Sequence, residues 1–209
     1  MTKKREPAKQ AEAAEPATRR RGAELEDAIL HAAWGVLVER GYQGFTIEAV
    51  AERAQTSRPV LYRRWPQRHD LLLAAVARYF AAHPIKVPDT GSLRDDAIGL
   101  LRNANTARAS MTVMLGAQLG DYFRQTGTSF AELRGSLHQG EASPFELIVE
   151  RAVARGELRR AVRSARVVNL PMDLLRHEIF MSLRAAPDDV LLEIVDEVWL
   201  PLLQVYRRR

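Results

Sequence analysis

The chain has 209 residues, 46% of them hydrophobic, and is therefore long enough to bury a substantial core. It contains no cysteine, which excludes disulfides, thiolate metal sites and cysteine nucleophiles and is typical of a reducing compartment. The formal net charge is +5, but residues 1–21 hold seven basic and three acidic side chains, so residues 22–209 carry only about +1. Ala, Leu, Glu and Arg recur throughout while alternating β-branched runs are missing, which predicts an all-α fold.

The segment 1–21 lacks apolar side chains large enough to pack, and it ends in the triplet Arg19, Arg20 and Arg21. We expect it to be a disordered basic arm, which either reaches DNA or only aids solubility. No apolar run in the chain has the length of a signal peptide or a membrane span. A cytoplasmic protein without membrane contact is therefore expected.

Two helices are predicted next, the second of them very short. From Glu24 onward, apolar residues recur at the spacing of one helix face, and Gly41 is a natural stop. Thr46 can cap a helix of barely two turns whose inner face is formed by Ile47, Val50, Ala51 and Ala54.

A third helix is predicted to begin at Ser57, with Pro59 in its first turn, where a missing N–H has no intrahelical partner to lose. The fourth helix is expected over about 67–82, because the residue before Pro84 avoids the helical conformation. The segment PIKVPDTG that follows is then a loop.

Further helices are predicted to start at Ser92, Ser129 and Ser143, each followed three residues later by an acid, and Gly156 should end the last of these. The stretch 109–123 has no clear assignment. The last two helices are expected at 165–185 and 187–206. The first of these contains Pro171, which either kinks it or begins a shorter helix, and the second carries more apolar residues than one core-facing stripe requires.

Residues 46–65 therefore predict a helix-turn-helix, the motif that places its second helix in a DNA major groove. Leu61 and Trp65 form an inward pair, whereas Arg58, Tyr62 and Arg63 fall on a different arc. Between Glu52 and Asp70 the sequence has five arginines and no acid, the local positive charge that duplex DNA requires. The alternative is a solvated, arginine-rich surface helix.

The segment TIEAVAERAQTSRPVLYRRWPQRHDLL, residues 46–72, together with GYQGF before it, resembles the tetracycline-repressor (TetR) family of bacterial transcription regulators. The resemblance implies a homodimer with a three-helix DNA-binding domain at 22–70 and a helical effector and dimerisation domain at 71–209, connected by the fourth helix. Gln55 stands where the family usually has glycine, so it must adopt a left-handed conformation or shift the turn.

By this resemblance, Thr46, Tyr62 and Arg68 would contact phosphates, while Arg58, Pro59 and Arg63 would face base edges, so guanines are expected in the operator. The full predicted DNA-binding set is Thr46, Ser57, Arg58, Pro59, Tyr62, Arg63, Arg64 and Arg68, with Arg19, Arg20 and Arg21 of the arm. The partner would be a palindromic double-stranded operator.

An effector pocket for a small hydrophobic or aromatic molecule is expected from adaptable Met and Phe side chains, although most of these could be plain core. The predicted lining residues are Met111, Met114, Phe123, Phe145, Met172, Leu175 and Phe180. A dimer interface through the last two helices is predicted to use Phe180, Leu191, Val195, Val198, Trp199 and Leu202.

Enzyme signals are poor, because the histidines lack metal-ligand spacing and the paired aspartates fall in first helical turns, where the helix dipole accounts for them. We expect no cofactor, no metal and no catalysis. The predicted function is a sequence-specific DNA-binding regulator, most simply a homodimeric repressor that a ligand releases from its operator. The alternatives are a regulator without a small-molecule effector and a helical enzyme whose basic helix is incidental.

Overall fold

A computed structural model describes residues 22–137 and 142–205, and every regular element in these ranges is a helix. The predicted all-α class is confirmed. In chain order the elements are α1 (Ala23–Gly44), α2 (Ile47–Arg53), α3 (Arg58–Arg64), α4 (Arg68–Ala82), α5 (Leu93–Gln118), α6 (Gly120–Thr126), α7 (Phe130–Leu137), α8 (Pro144–Ala154), α9 (Ala165–Ser182), α10 (Asp188–Glu193), a π-helical segment (Ile194–Trp199) and α11 (Leu200–Val205).

The first three helices form close to their predicted bounds, although α1 continues beyond the predicted stop at Gly41 to Gly44. Gly41 interrupts α1 with φ 65°, a left-handed conformation that glycine adopts without a side-chain clash. Thr46 caps α2, because its hydroxyl oxygen accepts from the N–H of Ala49 at 3.1 Å. Ser57 occupies the N-cap of α3 without a side-chain hydrogen bond, and Pro59 lies in the first turn as predicted.

Helix α4 begins with a reciprocal capping box between Gln67 and Asp70 and ends at His83, just before Pro84. The predicted boundaries at about 67 and 82 are confirmed. Its apolar face packs mainly against α1, and Leu71, Leu72, Ala75 and Val76 are fully buried there.

The stretch 109–123, which the sequence left unassigned, belongs mostly to α5 and continues into α6. Helix α5 has 26 residues, and the hydroxyl of Ser92 caps its start by accepting from the N–H of Asp95. Near its far end Gly116 lies so close to the ring of Phe180 that a Cβ at this position would stand 2.6 Å from that ring. A small residue in α5 thus lets α9 approach closely.

Two apolar clusters make up the interior, and α5 belongs to both. The first joins α1–α4 to the end of α5, where it includes Met111 and Leu115, and to residues of α6 and α7. The second joins the first part of α5 to α8, α9 and the C-terminal helices. The seam between the clusters therefore lies near residues 109–111 of α5.

Helix α9 begins at Ala165 and contains Pro171 in its interior, so the alternative that this proline opens a shorter helix is wrong. The C-terminal helix is continuous from Asp188 to Val205, but it widens to a π-helix immediately before Pro201. A proline ring clashes with the carbonyl four residues earlier in a regular α-helix, and the wider turn relieves that clash. No helix of the described ranges is both long and apolar enough to cross a membrane.

Candidate nucleic-acid interface

Helix α3 has one buried side and one open side. Leu61 is fully buried and Trp65 is 8% exposed, so this predicted inward pair anchors the helix to the core of α1–α4. On the other side Tyr62 is 48% exposed, and Arg58 and Arg63 are also exposed. The helix thus presents two guanidinium groups and a phenol on a surface that a ligand as large as a duplex can reach.

The turn before α3 has the geometry of a Schellman motif, in which a left-handed residue closes a helix. Gln55 has φ 52°, its N–H donates to the carbonyl of Glu52 at 3.1 Å, and the N–H of Thr56 donates to the carbonyl of Ala51 at 3.0 Å. The left-handed alternative for Gln55 is therefore the one that the chain adopts. Its cost is about 1 kcal/mol relative to a residue without a Cβ.

Three of the five arginines in the sequence window without acids have carboxylates beside them in space. Arg53 pairs with Glu39 of α1 at 2.6 Å, and Arg58 lies 3.5 Å from Glu48 of α2. The hydrogen bond to Arg53 holds the pKa of the Glu39 carboxyl below its usual range.

Arg64 forms an ion pair with Glu26 and donates from Nη2 to the carbonyl of Gly22 at 3.4 Å. It therefore ties the end of α3 to the start of α1. Arg63, its neighbour in the chain, has no carboxylate within 4.0 Å among the described residues and is exposed. Arg63 is thus the α3 guanidinium best placed to meet a base or a phosphate.

Arg68 is also engaged within the protein. Its Nη2 donates to Oε1 of Gln125 at 2.8 Å, and its guanidinium carbon lies 4.1 Å from the centre of the Tyr42 ring. Sequence reasoning assigned Arg68 to a phosphate but missed Gln125 and Tyr42, because contacts between distant helices leave no pattern of spacing. Its role toward DNA, like that of Arg64, stays a prediction.

Thr46 keeps its hydroxyl hydrogen available, because the oxygen accepts the capping bond. Ser57 and Pro59 are exposed at the start of α3, beside Arg58. Arg19, Arg20 and Arg21 lie outside the described residues. Of the predicted DNA-binding set, the structure thus leaves six residues wholly or partly exposed on α2, α3 and the residues that cap them, namely Thr46, Ser57, Arg58, Pro59, Tyr62 and Arg63.

Six of the seven predicted effector-pocket residues are divided between the two apolar clusters. Met111, with Met114 and Phe123, packs in or against the first cluster, whereas Phe145, Leu175 and Met172 belong to the second. Phe145 and Leu175 are about 1% exposed and fill the core, and Phe180 lies near the surface against Gly116. A shared pocket stays a prediction, because composition reports apolar character but not which core a side chain enters.

Two surface clefts lie elsewhere. One, of about 770 Å³, is bordered by the first turns of α1 and by Arg53 and Ala54. The other, of about 450 Å³, lies where α1 ends beside α6 and is bordered by Tyr42, Gln118 and Asp121 among others. Neither is lined by any of the seven predicted residues.

The residues of the predicted dimer interface differ in burial, and the interface itself stays a prediction. Leu191, Val195 and Trp199 are at most 1% exposed within the single chain, and the indole N–H of Trp199 donates to the carbonyl of Val167 at 2.9 Å. These three side chains have no surface left for a partner. Val198 is 42% exposed and Phe180 36% exposed, while Leu202 is half-buried.

Exposed apolar side chains that sequence reasoning did not select lie nearby in the chain. Met181 is 70% exposed, and Leu183 and Val205 are each 66% exposed. These side chains can be recognised as exposed only in the folded chain, because in the sequence they resemble the apolar core residues beside them. Among the described residues, no group of three His, Cys, Asp or Glu side chains is arranged to hold a metal.

A short capped helix, a tight left-handed turn and a second helix with an open basic face define a helix-turn-helix protein. A family model described as "Bacterial regulatory proteins, tetR family" matches residues 29–75, and one described as "Tetracyclin repressor-like, C-terminal domain" matches residues 87–198. The chain belongs to the TetR family and is a DNA-binding transcriptional regulator.

Curated relatives agree with this assignment. A protein of Mycobacteroides abscessus named "DNA-binding transcriptional repressor TetR" is 30% identical over 185 residues, which are 88% of this chain and 96% of the relative. An uncharacterized HTH-type transcriptional regulator of Mycobacterium bovis is 31% identical over 80% of this chain and 82% of its own length. The uncharacterized regulator YdeS of Bacillus subtilis is 27% identical over 78% of this chain and 80% of its own length.

Proposed function

We propose that this regulator is a homodimeric repressor whose two α3 helices enter successive major grooves of a near-palindromic operator in the cytoplasm. The observation that carries the proposal is the exposed face of α3, where Arg58, Tyr62 and Arg63 project away from the buried Leu61 and Trp65. An arginine bonds to guanine O6 and N7 in a bidentate manner, so Arg63 favours a guanine in each half-site.

Dimerisation is supported by the exposed apolar side chains of α9 and the C-terminal helices, Phe180 and Val198 among them. Exposed apolar side chains mark an interaction site where they form a contiguous surface. The half-site centres should lie about one helical turn, roughly 34–36 Å, apart or a multiple of it.

The experiment is selection of bound duplexes from a random double-stranded pool at about 150 mM salt, near physiological ionic strength. Enrichment of a palindrome with a guanine in each half-site supports the proposal. Failure of the folded protein to enrich any sequence contradicts it. The Arg63→Ala variant is the matched control, and it should lose the guanine preference while it remains folded.

Dimerisation is tested at two exposed positions of the C-terminal helix, the apolar Val198 and the polar Gln204. Val198→Asp places a charge on the exposed surface and should shift sedimentation toward the monomer without loss of helix content. Gln204→Asp places the same charge at another exposed position of the C-terminal helix. If both variants remain dimeric, the interface lies elsewhere.

Release by a small hydrophobic or aromatic ligand is part of the proposal, and α4 is the natural transmitter because it joins the two parts of the chain. The filled core around Phe145 and Leu175 favours a second candidate, a regulator without a small-molecule effector. A ligand that both raises the melting temperature of the protein and lowers its affinity for the operator would support release by a small molecule. A broad screen without any such ligand decides for the second.

A further inference from the structure

Arg108 occupies an unusual position on α5, at the seam between the two apolar clusters. Its Nη2 donates to the carbonyl oxygen of His83 at 2.5 Å, and its guanidinium carbon lies 4.2 Å from the centre of the Phe80 ring. Its Nη1 lies 4.0 Å from the sulfur of Met111. The Nε–H is shielded from solvent and has no acceptor within hydrogen-bond distance.

The other arginines nearby on α5 are paired. Arg94 donates to Asp196 at 2.6 Å, and Arg102 donates to Asp188 at 2.6 Å. Arg108 has no carboxylate within 4.0 Å among the described residues, and burial lowers the pKa of its guanidinium below the ordinary value. A half-buried cation without a counter-ion is costly to keep, and an anion that enters from outside removes this cost.

The surroundings of Arg108 are flat and apolar. Phe80 stacks on the guanidinium, and Tyr79 beside it stacks on Trp34 with ring centres 3.9 Å apart. The His83 ring also stacks on the Tyr79 ring, and their centres are 4.3 Å apart. Aromatic faces and a methionine favour a planar, apolar ligand body.

We propose that Arg108 recognises the effector and that the effector is an organic carboxylate with a flat apolar body. The carboxylate accepts from the free Nε–H and from Nη2, the fork geometry in which a guanidinium binds carboxylates. The flat body lies against Phe80 and Met111. This inference rests on the proposed ligand-responsive function and names the chemical class of the ligand.

The same contact explains how binding reaches the DNA-binding part. In the unliganded protein Arg108 holds the carbonyl of His83, the residue that ends α4. A carboxylate that takes over Nη2 weakens this hold at one end of α4, and the other end begins at Arg68, next to the helix-turn-helix. The ligand thus alters the attachment of the connecting helix.

A purely structural role is the alternative. Helix α4 has no basic residue in its own last turn, and Arg108 supplies a cation to the carbonyl end of that helix from α5. A capping residue stabilises the fold but has no preference for a charged ligand, so the two roles make different predictions.

The test measures binding of naphthoate and its neutral isostere naphthamide to the full chain by calorimetry at neutral pH. The wild type should bind naphthoate about tenfold more tightly than naphthamide, as a charge-assisted hydrogen-bond pair provides. Arg108→Gln should bring this ratio close to one. Arg102→Gln, which removes a cation from the same helix but from a paired site, should leave the ratio unchanged.

Equal or absent binding of the two compounds by the wild type overturns the inference, and so does a ratio that survives in Arg108→Gln. If Arg108→Gln fails to fold, Arg108→Lys takes its place, because lysine keeps the charge and the cap but lacks the fork, and the ratio should fall by several-fold. A lower melting temperature with an unchanged ratio means that Arg108 is only a cap.

Operator binding without ligand separates this inference from the proposed function. Arg108→Gln lacks the Arg108 hold on the His83 carbonyl and should bind the selected operator with the reduced affinity of the liganded wild type. Naphthoate should lower the operator affinity of the wild type alone. A protein that binds its operator but not naphthoate retains the proposed DNA function and loses the carboxylate site.

Discussion

Arg68 and Gln125 join the start of α4 to α6 through one hydrogen bond of 2.8 Å from Nη2 to Oε1. The two residues are 57 positions apart in the chain, and the Tyr42 ring supports the guanidinium at 4.1 Å. The arginine predicted to contact a phosphate is thus held by a residue of the range 71–209, which is predicted to form the effector domain.

This relationship predicts competition between Gln125 and DNA for Arg68. Gln125→Ala should strengthen operator binding by a few-fold, because a net hydrogen bond of about 1 kcal/mol no longer holds the guanidinium away. Fluorescence anisotropy with a labelled duplex measures the effect. Weaker binding by Gln125→Ala would mean instead that the bond orients Arg68 toward the phosphate.

Arg68→Ala should weaken binding to all duplexes alike and reduce the slope of log affinity against log salt by about 1, the signature of one lost phosphate contact. Gln67→Ala, at the neighbouring position, is the control for loss of the α4 cap. An unchanged salt slope in Arg68→Ala would remove this residue from the DNA interface.

Arg63 and Arg64 are neighbours in the chain with different surroundings. Their alanine variants should therefore separate the recognition of DNA bases from the stability of the fold. Arg63→Ala should cost about 1–3 kcal/mol of discrimination at one base pair, and its melting temperature should stay near that of the wild type. Arg64→Ala loses the pair with Glu26 and should lower the free energy of unfolding by at most about 1 kcal/mol. Similar losses of specificity in both variants would contradict this division.

Gln55→Gly should stabilise the protein by up to about 1 kcal/mol, because glycine adopts φ 52° without a clash at Cβ. Urea unfolding measures the change. Glycine also raises the conformational entropy of the unfolded chain, which reduces the gain in stability. Gln43→Gly in the last turn of α1 is a comparison, and it should destabilise the protein. A loss of stability in Gln55→Gly would indicate that the Gln55 side chain makes a favourable contact.

Glu157 connects the end of α8 to the start of α5 and predicts acid sensitivity. The N–H of Leu93 donates to its carboxylate at 2.7 Å and, with Arg155, holds the pKa of Glu157 below its usual range. The stabilisation is therefore complete above the ordinary glutamate pKa of about 4.3 and is lost as the pH falls through the lower folded value.

Glu157→Gln should accordingly have a lower melting temperature than the wild type at pH 7, and the difference should shrink below about pH 4. Thermal unfolding across this range measures it. Glu150→Gln, an exposed position on α8, should show no such convergence. A difference that grows in acid would contradict the assigned direction of the pKa shift.

Local signals in the sequence were sufficient for the helices near the DNA-binding motif. Thr46, Pro59 and the His83-Pro84 step act within one turn of their own positions, so their spacing alone predicted where α2, α3 and α4 begin or end. The inward direction of Leu61 and Trp65 also follows from helical periodicity, because one face of a short helix must be buried.

Contacts between distant segments required the folded chain. Composition marked Trp199 and Val198 as equally apolar, but the crossing of the C-terminal helices with α8 and α9 buries the first and leaves the second exposed. The sequence between Glu52 and Asp70 contains no acidic residue, but folding brings Glu26 of α1 next to Arg64. Periodicity is a property of one helix, whereas the partner of a side chain depends on how two helices cross.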